Sequence, residues 1–362
     1  MIHILDKAIK NSIFNVSKII INNELYSKED IENRIKVLRS YQKKLNKLLL
    51  IPKIEQKTDE WYRARENMIS ASDFGQACGE GKFGNVNQII QKKCSPVDES
   101  AFSKSNPFFK WGNMFEDVAI DIYSDINNVT INSFGLLKHP KFEYLGASPD
   151  GISDLGIMVE IKCPYKRKID GEIPRQYYYQ IQGQLEVCNL EECDYFECEF
   201  VDLKNYQDFK KEFNNNEYKG IIIEKNNSEF IYSKIMNSNS TFDEADSFLN
   251  INNNIPNYKI IYWYLKKYNM KRVIRDKEFI KEKMKELKKI WDKIVYYRNN
   301  KDKYILEVLN SIDIDTECLV QETKKINGYN LLDIEDENEN KNESTKKTEK
   351  TKKISGYNLL DI

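Results

Sequence analysis

One stretch constrains this chain more than any other: Ser148 to Pro164, reading SPDGISDLGIMVEIKCP. An acid, Asp150, stands ahead of a turn, and a short apolar strand then carries Glu160 and Lys162. Side chains of a strand alternate faces, so Glu160 and Lys162 must share one face while Val159 and Ile161 point to the other. That fixes a polar site on one side of the strand and a core on the other. Two carboxylates brought together in a partly dry place repel, and a hard divalent cation with oxygen ligands relieves the repulsion. The lysine cannot ligate a cation, but it can steady an attacking water or a developing phosphate charge. Acid, spacer, then acid-x-lysine is a phosphodiesterase signature. Read alone, the same pattern also describes a hairpin with a solvated polar face, because Asp-Gly turns and Glu-Lys pairs recur by chance.

The rest of the chain narrows the setting. Its 362 residues allow one large domain with appendages or two modest ones. With 56 basic and 57 acidic residues the net charge is -1, so no global field draws in nucleic acid and any such contact needs a local patch. Seven cysteines without close pairing read as thiols in a reducing compartment. Neither a signal-peptide pattern nor a membrane-length apolar run is present, so a soluble, intracellular protein is expected. Cys188, Cys193 and Cys198 lack a C-x-x-C pair, and Cys193 and Cys198 fall on opposite faces of one strand; they read as core rather than as an iron–sulfur site. Two histidines, His3 and His139, cannot build a histidine-rich metal centre, and His139 before Pro140 reads as a turn residue.

In chain order, Ser27 with Asp30 predicts a capped helix over 27–50, its apolar stripe running from Ile31 to Leu49. Around residue 57 the composition turns aromatic. In TDEWYRARENMISASDFG, Trp61, Met68 and Ile69 are expected to pack inward. A serine before Asp73, with arginines nearby, makes either an ordinary helix cap or an anion site. Gly79, Gly81 and Gly84 lack the G-K-[ST] of a nucleotide loop. A helix over 111–124 carries Glu116 beside its apolar stripe. Strands are expected at 131–138, 142–147, 157–162 and 194–201. The loop after the acid-x-lysine strand holds Lys166, Arg167, Lys168 and Arg175, which read either as solvated or as lying along a DNA backbone. A helix over 176–189 mixes Gln180 and Gln184 with Ile181 and Leu185, and a longer one spans 276–298. Finally, KKINGYNLLDI at 324–334 returns as KKISGYNLLDI at 352–362 across a polar spacer expected to be disordered. The repeat is either a bivalent docking peptide or a neutral duplication.

Several blocks occur in order: W-x-x-x-R with I-S-A-S, WGNMFED, SPDG, VEIKCP and YYYQIQ, together covering roughly residues 57–205. In these the chain resembles the phage lambda exonuclease family, also called YqaJ-type viral recombinases, within the PD-(D/E)XK nuclease superfamily. The resemblance implies an α/β (α+β) fold: a restriction-endonuclease-like core with a central mixed β-sheet flanked by helices, plus N- and C-terminal helical additions and a disordered tail. The corresponding segments are an N-terminal helical extension (1–55), the nuclease core (56–235), a C-terminal helical unit (236–315) and the tail (316–362).

The resemblance further implies a Mg²⁺-dependent exonuclease, with Mn²⁺ as a substitute, acting 5′ to 3′ on linear duplex ends. Asp150, Glu160 and the main-chain carbonyl of Ile161 would hold one of two ions, and Glu116 would reach the second. Lys162 would position and activate the attacking water, with Gln180 orienting it. Arg65, Ser72 and Ser148 match positions that hold the 5′-phosphate. The implied setting is viral or phage-type recombination, replication or repair, in the host cytoplasm or a viral factory. A single-strand annealing protein is the expected partner, with the repeated motif as its tether. Family members can form toroidal trimers; segments outside the resemblance leave an oligomer open. Two rivals stand beside this reading: a RecB-like endonuclease of another branch, and a non-catalytic protein that binds DNA ends.

Overall fold

A computed structural model describes residues 2–19, 26–81, 84–95, 106–225 and 229–313. The repeated motif and its spacer lie outside the described residues.

Two helices open the chain, α1 (Ile2–Asn11) and α2 (Lys28–Leu48). The start of α2 is the capping box that the sequence predicts. The Ser27 hydroxyl accepts from the Asp30 amide at 3.1 Å, and the Asp30 carboxylate accepts from the Ser27 amide at 2.9 Å. Ile31, Ile35, Leu38, Tyr41 and Leu45 form the buried stripe, whereas Leu49, just past the helix end, is 48 % exposed. Next come α3 (Asp59–Glu66), β1 (Ile69–Ser70), the single turn α4 (Phe74–Ala77), α5 (Val86–Cys94) and the long α6 (Pro107–Asn127).

The strand expected over 131–138 is two short ones, β2 (Ile131–Asn132) and β3 (Leu137–Lys138), which belong to different sheets. Between them the chain turns aside because the Leu136 amide donates to the Ile54 carbonyl at 3.0 Å instead of joining a ladder. There follow β4 (Leu145–Ala147), β5 (Gly151–Ser153) and β6 (Met158–Lys162). The turn between β5 and β6 passes through Gly156 at φ +76°, where a Cβ would meet the Tyr41 backbone at 2.5 Å. Only glycine satisfies both the left-handed backbone and the close approach of α2. Then come α7 (Arg175–Cys188), β7 (Glu192–Leu203), α8 (Tyr206–Glu212), β8 (Lys219–Lys225) and β9 (Phe230–Tyr232). The remainder is α9 (Phe242–Ile251), β10 (Tyr258–Ile274), α10 (Lys277–Asn299) and α11 (Lys301–Asp313).

The strands form a mixed seven-stranded sheet, β2-β5-β6-β7-β10-β8-β9, and a three-stranded one, β1-β4-β3. β6 and β7 are parallel, and every other neighbouring pair in the large sheet is antiparallel. The fold is thus the mixed α/β class expected, with one correction. The segment 236–315 is not purely helical, because it supplies the 17-residue strand β10 between β7 and β8. Burial of Ile261, Trp263 and Leu265 against α6 makes this strand part of the core.

Each face of the sheet has its own apolar core. Met158, Cys193 and Tyr195 pack with Tyr179 and Leu185 of α7 and with Leu287 and Ile294 of α10. Val159, Ile161, Phe196 and Cys198 pack with Phe115, Val118 and Ile122 of α6. Burying each such side chain is worth about 1.5–3 kcal/mol. Cys193 and Cys198 fall on opposite faces as expected, and Cys188, Cys193 and Cys198 are buried free thiols. His139 is a turn residue, its Nδ1 accepting from the amides of Lys141 and Phe142 at 3.0 Å each.

The N-terminal helices are fastened to the sheet by a buried ionic network. Arg34 of α2 donates to Asp6 of α1 at 2.7 and 2.9 Å and to Glu192 of β7 at 2.6 and 2.8 Å. Arg272 of β10 donates to Asp194 at 3.0 Å and to Asp6 at 3.1 Å. His3, Tyr41 and Tyr123 complete the acceptors' shells.

Candidate active site

The β5–β6 register sets Gly151 opposite Val159, which leads Asp150 to a place opposite Glu160. Asp150 is fixed there, its Oδ2 accepting from the Ile161 amide at 2.7 Å. Glu160 is fully buried. Its Oε1 accepts from Lys162 Nζ and from Gln180 Nε2 at 2.6 Å, and its Oε2 accepts from Gln184 Nε2 at 2.7 Å. Gln180 and Gln184 stand four apart on α7, so both amides reach the same carboxylate. Lys162 Nζ also lies 4.9 Å from the centre of the Tyr177 ring, a cation–π contact. The structure therefore brings together Asp150, Glu160, Lys162 and Gln180, and Gln184, read in the sequence beside Gln180 on the same helix, joins them at Glu160.

Glu116 comes from α6, which packs on the other face of the sheet, yet it shares the field of this cluster. Burial raises its proton affinity, and Asp117 and Glu160 raise it further, against the pull of Lys57 and Lys162. Burial likewise pushes the Asp150 carboxyl well above the usual carboxylate range, reinforced by Glu160 and Glu116. Burial alone would pull the Lys162 ammonium down, but the carboxylates of Glu160 and Asp150 outweigh it and hold the lysine in its protonated form. Three carboxylates thus face one lysine in a half-dry place. In charge and donor type this set fits a hard divalent cation. It is not a preformed ligand cage: among the described residues no three His, Cys, Asp or Glu side chains are grouped at ligand spacing. Both oxygens of Glu160 are turned to nitrogen donors.

Beside the carboxylates is a cluster of opposite character. Strands β1 and β4 run parallel, with Ser70 opposite Gly146; Ser72 lies in the turn that follows β1, and Ser148 just follows β4. Arg65 Nη2 donates to Ser72 Oγ at 3.0 Å and to Ser70 Oγ at 3.2 Å. Its guanidinium lies 4.1 Å from the ring centre of Trp61, and Trp61 Nε1 donates to Ser148 Oγ at 2.9 Å. Arg65, Ser72 and Ser148 are therefore linked through Trp61, which the sequence suggested only as a packing residue. The W-x-x-x-R spacing, one helical turn, carried that signal. Beneath them Asp73 accepts from Ser70 Oγ at 2.8 Å and pairs with Lys92 and Lys93 at 3.1 Å each. Burial would raise the Asp73 carboxyl, but these lysines and Arg65 hold it well below the usual range.

The loop after β6 is less open than its composition suggests. Arg167 pairs with the buried Glu197, and Arg175 pairs with Glu80 at 2.8 Å. Lys166 lies 5.9 Å from the Tyr165 ring centre, and Lys168 belongs to the same loop. Arg167 and Arg175 thus already face protein carboxylates.

Comparison with known proteins places this geometry in context. Residues 60–191 match the family described as the YqaJ-like viral recombinase domain, as the ordered sequence blocks predict. The chain is similar to a protein of Acanthamoeba polyphaga mimivirus, 30% identical across 72% of this chain and 56% of that one. It is also similar to a protein of African swine fever virus (strain Badajoz 1971 Vero-adapted), 25% identical across 36% of this chain and 46% of that one. The chain spans about half the length of the curated relatives it matches. Among solved structures, an alkaline exonuclease from Laribacter hongkongensis superposes with a TM-score of 0.44 and 17% identity over 69% of this chain and 100% of that one.

Proposed function

The chain carries a YqaJ-like viral recombinase domain over residues 60–191, and from that premise we propose that it is a divalent-metal-dependent DNA nuclease. In finer terms it is a 5′-to-3′ exonuclease on linear duplex ends, using Mg²⁺ in a viral recombination, replication or repair setting. The observation that carries this reading is the meeting of Asp150, Glu160, Lys162 and Gln180 at one end of β6. Asp150, Glu160, Glu116 and the Ile161 carbonyl are the groups that would hold two ions. When bound, the ions supply positive charge to the attacking and leaving oxygens of the scissile phosphate.

The chain's own residues do the rest. Lys162, held protonated, donates a hydrogen bond to the attacking water and offers charge to the phosphoryl oxygens. Gln180 and Gln184 hold Glu160 in one orientation, so the acid presented to the substrate side does not rotate away. Arg65, Ser72 and Ser148 receive the 5′-phosphate of the DNA end, where charge-assisted hydrogen bonds favour an anion. Lys166, Arg167 and Lys168 of the loop, with Arg175 at the start of α7, lie along the DNA backbone, and Arg175 does so by exchanging its exposed pairing with Glu80 for a phosphate. The repeated motif at 324–334 and 352–362 is proposed as a two-copy tether for an annealing partner.

The test is digestion of linear duplex with a 5′-phosphate or a 5′-hydroxyl, beside a closed circular plasmid, in Mg²⁺ and in EDTA. Cleavage of the 5′-phosphorylated linear duplex in Mg²⁺ only is expected. Equal cutting of the closed circle makes the protein an endonuclease, and binding without cleavage under any metal makes it an end-binding scaffold.

A further inference from the structure

Arg298, in the last turn of α10, directs its guanidinium onto two other helices. Nη2 donates to the Glu66 carbonyl at 2.7 Å and to the Lys93 carbonyl at 2.6 Å. Nε donates to the same Lys93 carbonyl at 2.9 Å, and Nη1 donates to Asn67 Oδ1 at 3.0 Å. Glu66 is the last residue of α3, and Lys93 is in the last turn of α5. Carbonyls there have no partner within their own helix and sit at the negative end of its dipole, so a cation is favoured. A planar fork with several donors bridges two such ends at once, which a single ammonium cannot do.

Both helix ends carry parts of the anion cluster. Arg65 immediately precedes Glu66 on α3. Lys93 Nζ donates to the Arg65 carbonyl at 2.8 Å and pairs with Asp73 at 3.1 Å. Asp73 accepts from Ser70, and Ser70 with Ser72 accepts from Arg65. The contacts close into a ring: Arg298 holds the carbonyls of Glu66, next to Arg65, and of Lys93 itself, and Lys93 and Arg65 meet directly at the Arg65 carbonyl and again through Asp73 and the serines. Arg298 itself lies beyond the residues matched by the YqaJ-like domain.

We propose that Arg298 is a positioning residue for Arg65, fixing the end of α3 so that the Arg65 guanidinium is aimed at the 5′-phosphate of a DNA end. The inference deepens the 5′-end reading above and rests on it. It assigns to the C-terminal segment a part in end recognition that the matched domain does not contain.

The experiment measures binding of a short linear duplex with a 5′-phosphate or a 5′-hydroxyl, in EDTA so that nothing is cut, and records the melting temperature of the same samples. The readout is the ratio of the two dissociation constants. Wild type is expected to prefer the phosphorylated end on the order of tenfold. Arg298→Ala should bring that ratio down to the value for Arg65→Ala. Arg298→Lys should retain part of it. Arg298→Ala added to Arg65→Ala should change it no further, as expected for two residues acting through one contact. A purely architectural role would weaken both ends alike and leave the ratio untouched, and that result overturns the inference. Should Arg298→Ala fail to fold, an unchanged ratio in Arg298→Lys overturns it equally. A wild-type protein indifferent to the phosphate brings down the 5′-end reading itself, which is a separate failure seen before any variant is made.

Discussion

On one face of β6 and β7 stand Glu160 and Lys162 beneath α7; on the other, at the alternating positions of the same strands, stand Glu192 and Asp194 facing α1 and α2. Both faces bury charge, yet their balances are opposite. Around Asp194 and Glu192 the carboxylates meet two arginines in multiple hydrogen bonds. Burial would raise the Asp194 carboxyl, but Arg272 and His3 outweigh it and pull it down to about 2. Around Glu160 the acids outnumber the nearby lysine, and both Asp150 and Glu116 are pushed up. A cluster in which two arginines each clamp several of the three carboxylates is a fastening. One in which a single lysine faces Asp150, Glu160 and Glu116 is fitted to receive a cation from outside.

That contrast is open to attack at four points. Lys162→Ala should lower the cleavage rate of linear duplex by about 10²–10⁴, as read by single-turnover digestion; full activity would remove the lysine from the mechanism. Arg272→Met should instead unfold the protein more easily, by about 3–5 kcal/mol, because it leaves buried carboxylates unpaired. Urea titration measures this, and a neutral result would mean that the network fastens nothing. The third test is acid. Asp194 has a folded value near 2, below the usual unfolded value of about 3.9. Its contribution is therefore fully present above about pH 4 and lost as the pH falls through 2, on the order of 2–3 kcal/mol. The urea midpoint should follow this fall in wild type, and the fall should shrink in Arg272→Met. The smallest effect is that of the cation. Mg²⁺ at ten times its dissociation constant should stabilise wild type by about 1.4 kcal/mol, and Asp150→Asn should lose that gain while Arg272→Met keeps it. Equal stabilisation of Asp150→Asn would place the cation elsewhere.

The two faces also differed in how far the sequence revealed them. The site was legible because its chemistry is local: Asp150, Glu160 and Lys162 fall within one hairpin, and period-two alternation orients them without tertiary knowledge. Gln180 stood out among the glutamines of its helix, whereas Arg65 and Ser72 came from the family resemblance; the serine that caps the turn with Asp73 is Ser70, not the Ser72 that the sequence suggested. The fastening left no such trace. Asp6 and Arg272 meet across almost the whole described chain, and each alone reads as an ordinary surface charge on an amphipathic element. Strand β10 was obscured for a related reason. Its lysines and tyrosines interrupt the alternation where the ladder shifts register between Leu265 and Lys267, so the aromatic run did not declare itself a strand.

Strand β10 also bears on the order of events during synthesis. Between residues 192 and 274 the chain must travel out through α8, β8, β9 and α9 before it returns to fill the gap beside β7. Until that return, β7 and β8 both present unpaired edges, and the Tyr-, Ile- and Trp-rich partner is still to come. Closing so long a loop is slow, and the waiting edges invite pairing with the wrong chain. The hairpin that bears Asp150 and Glu160 leaves the ribosome more than a hundred residues before Ile274, so it is made well before the sheet that steadies it can close.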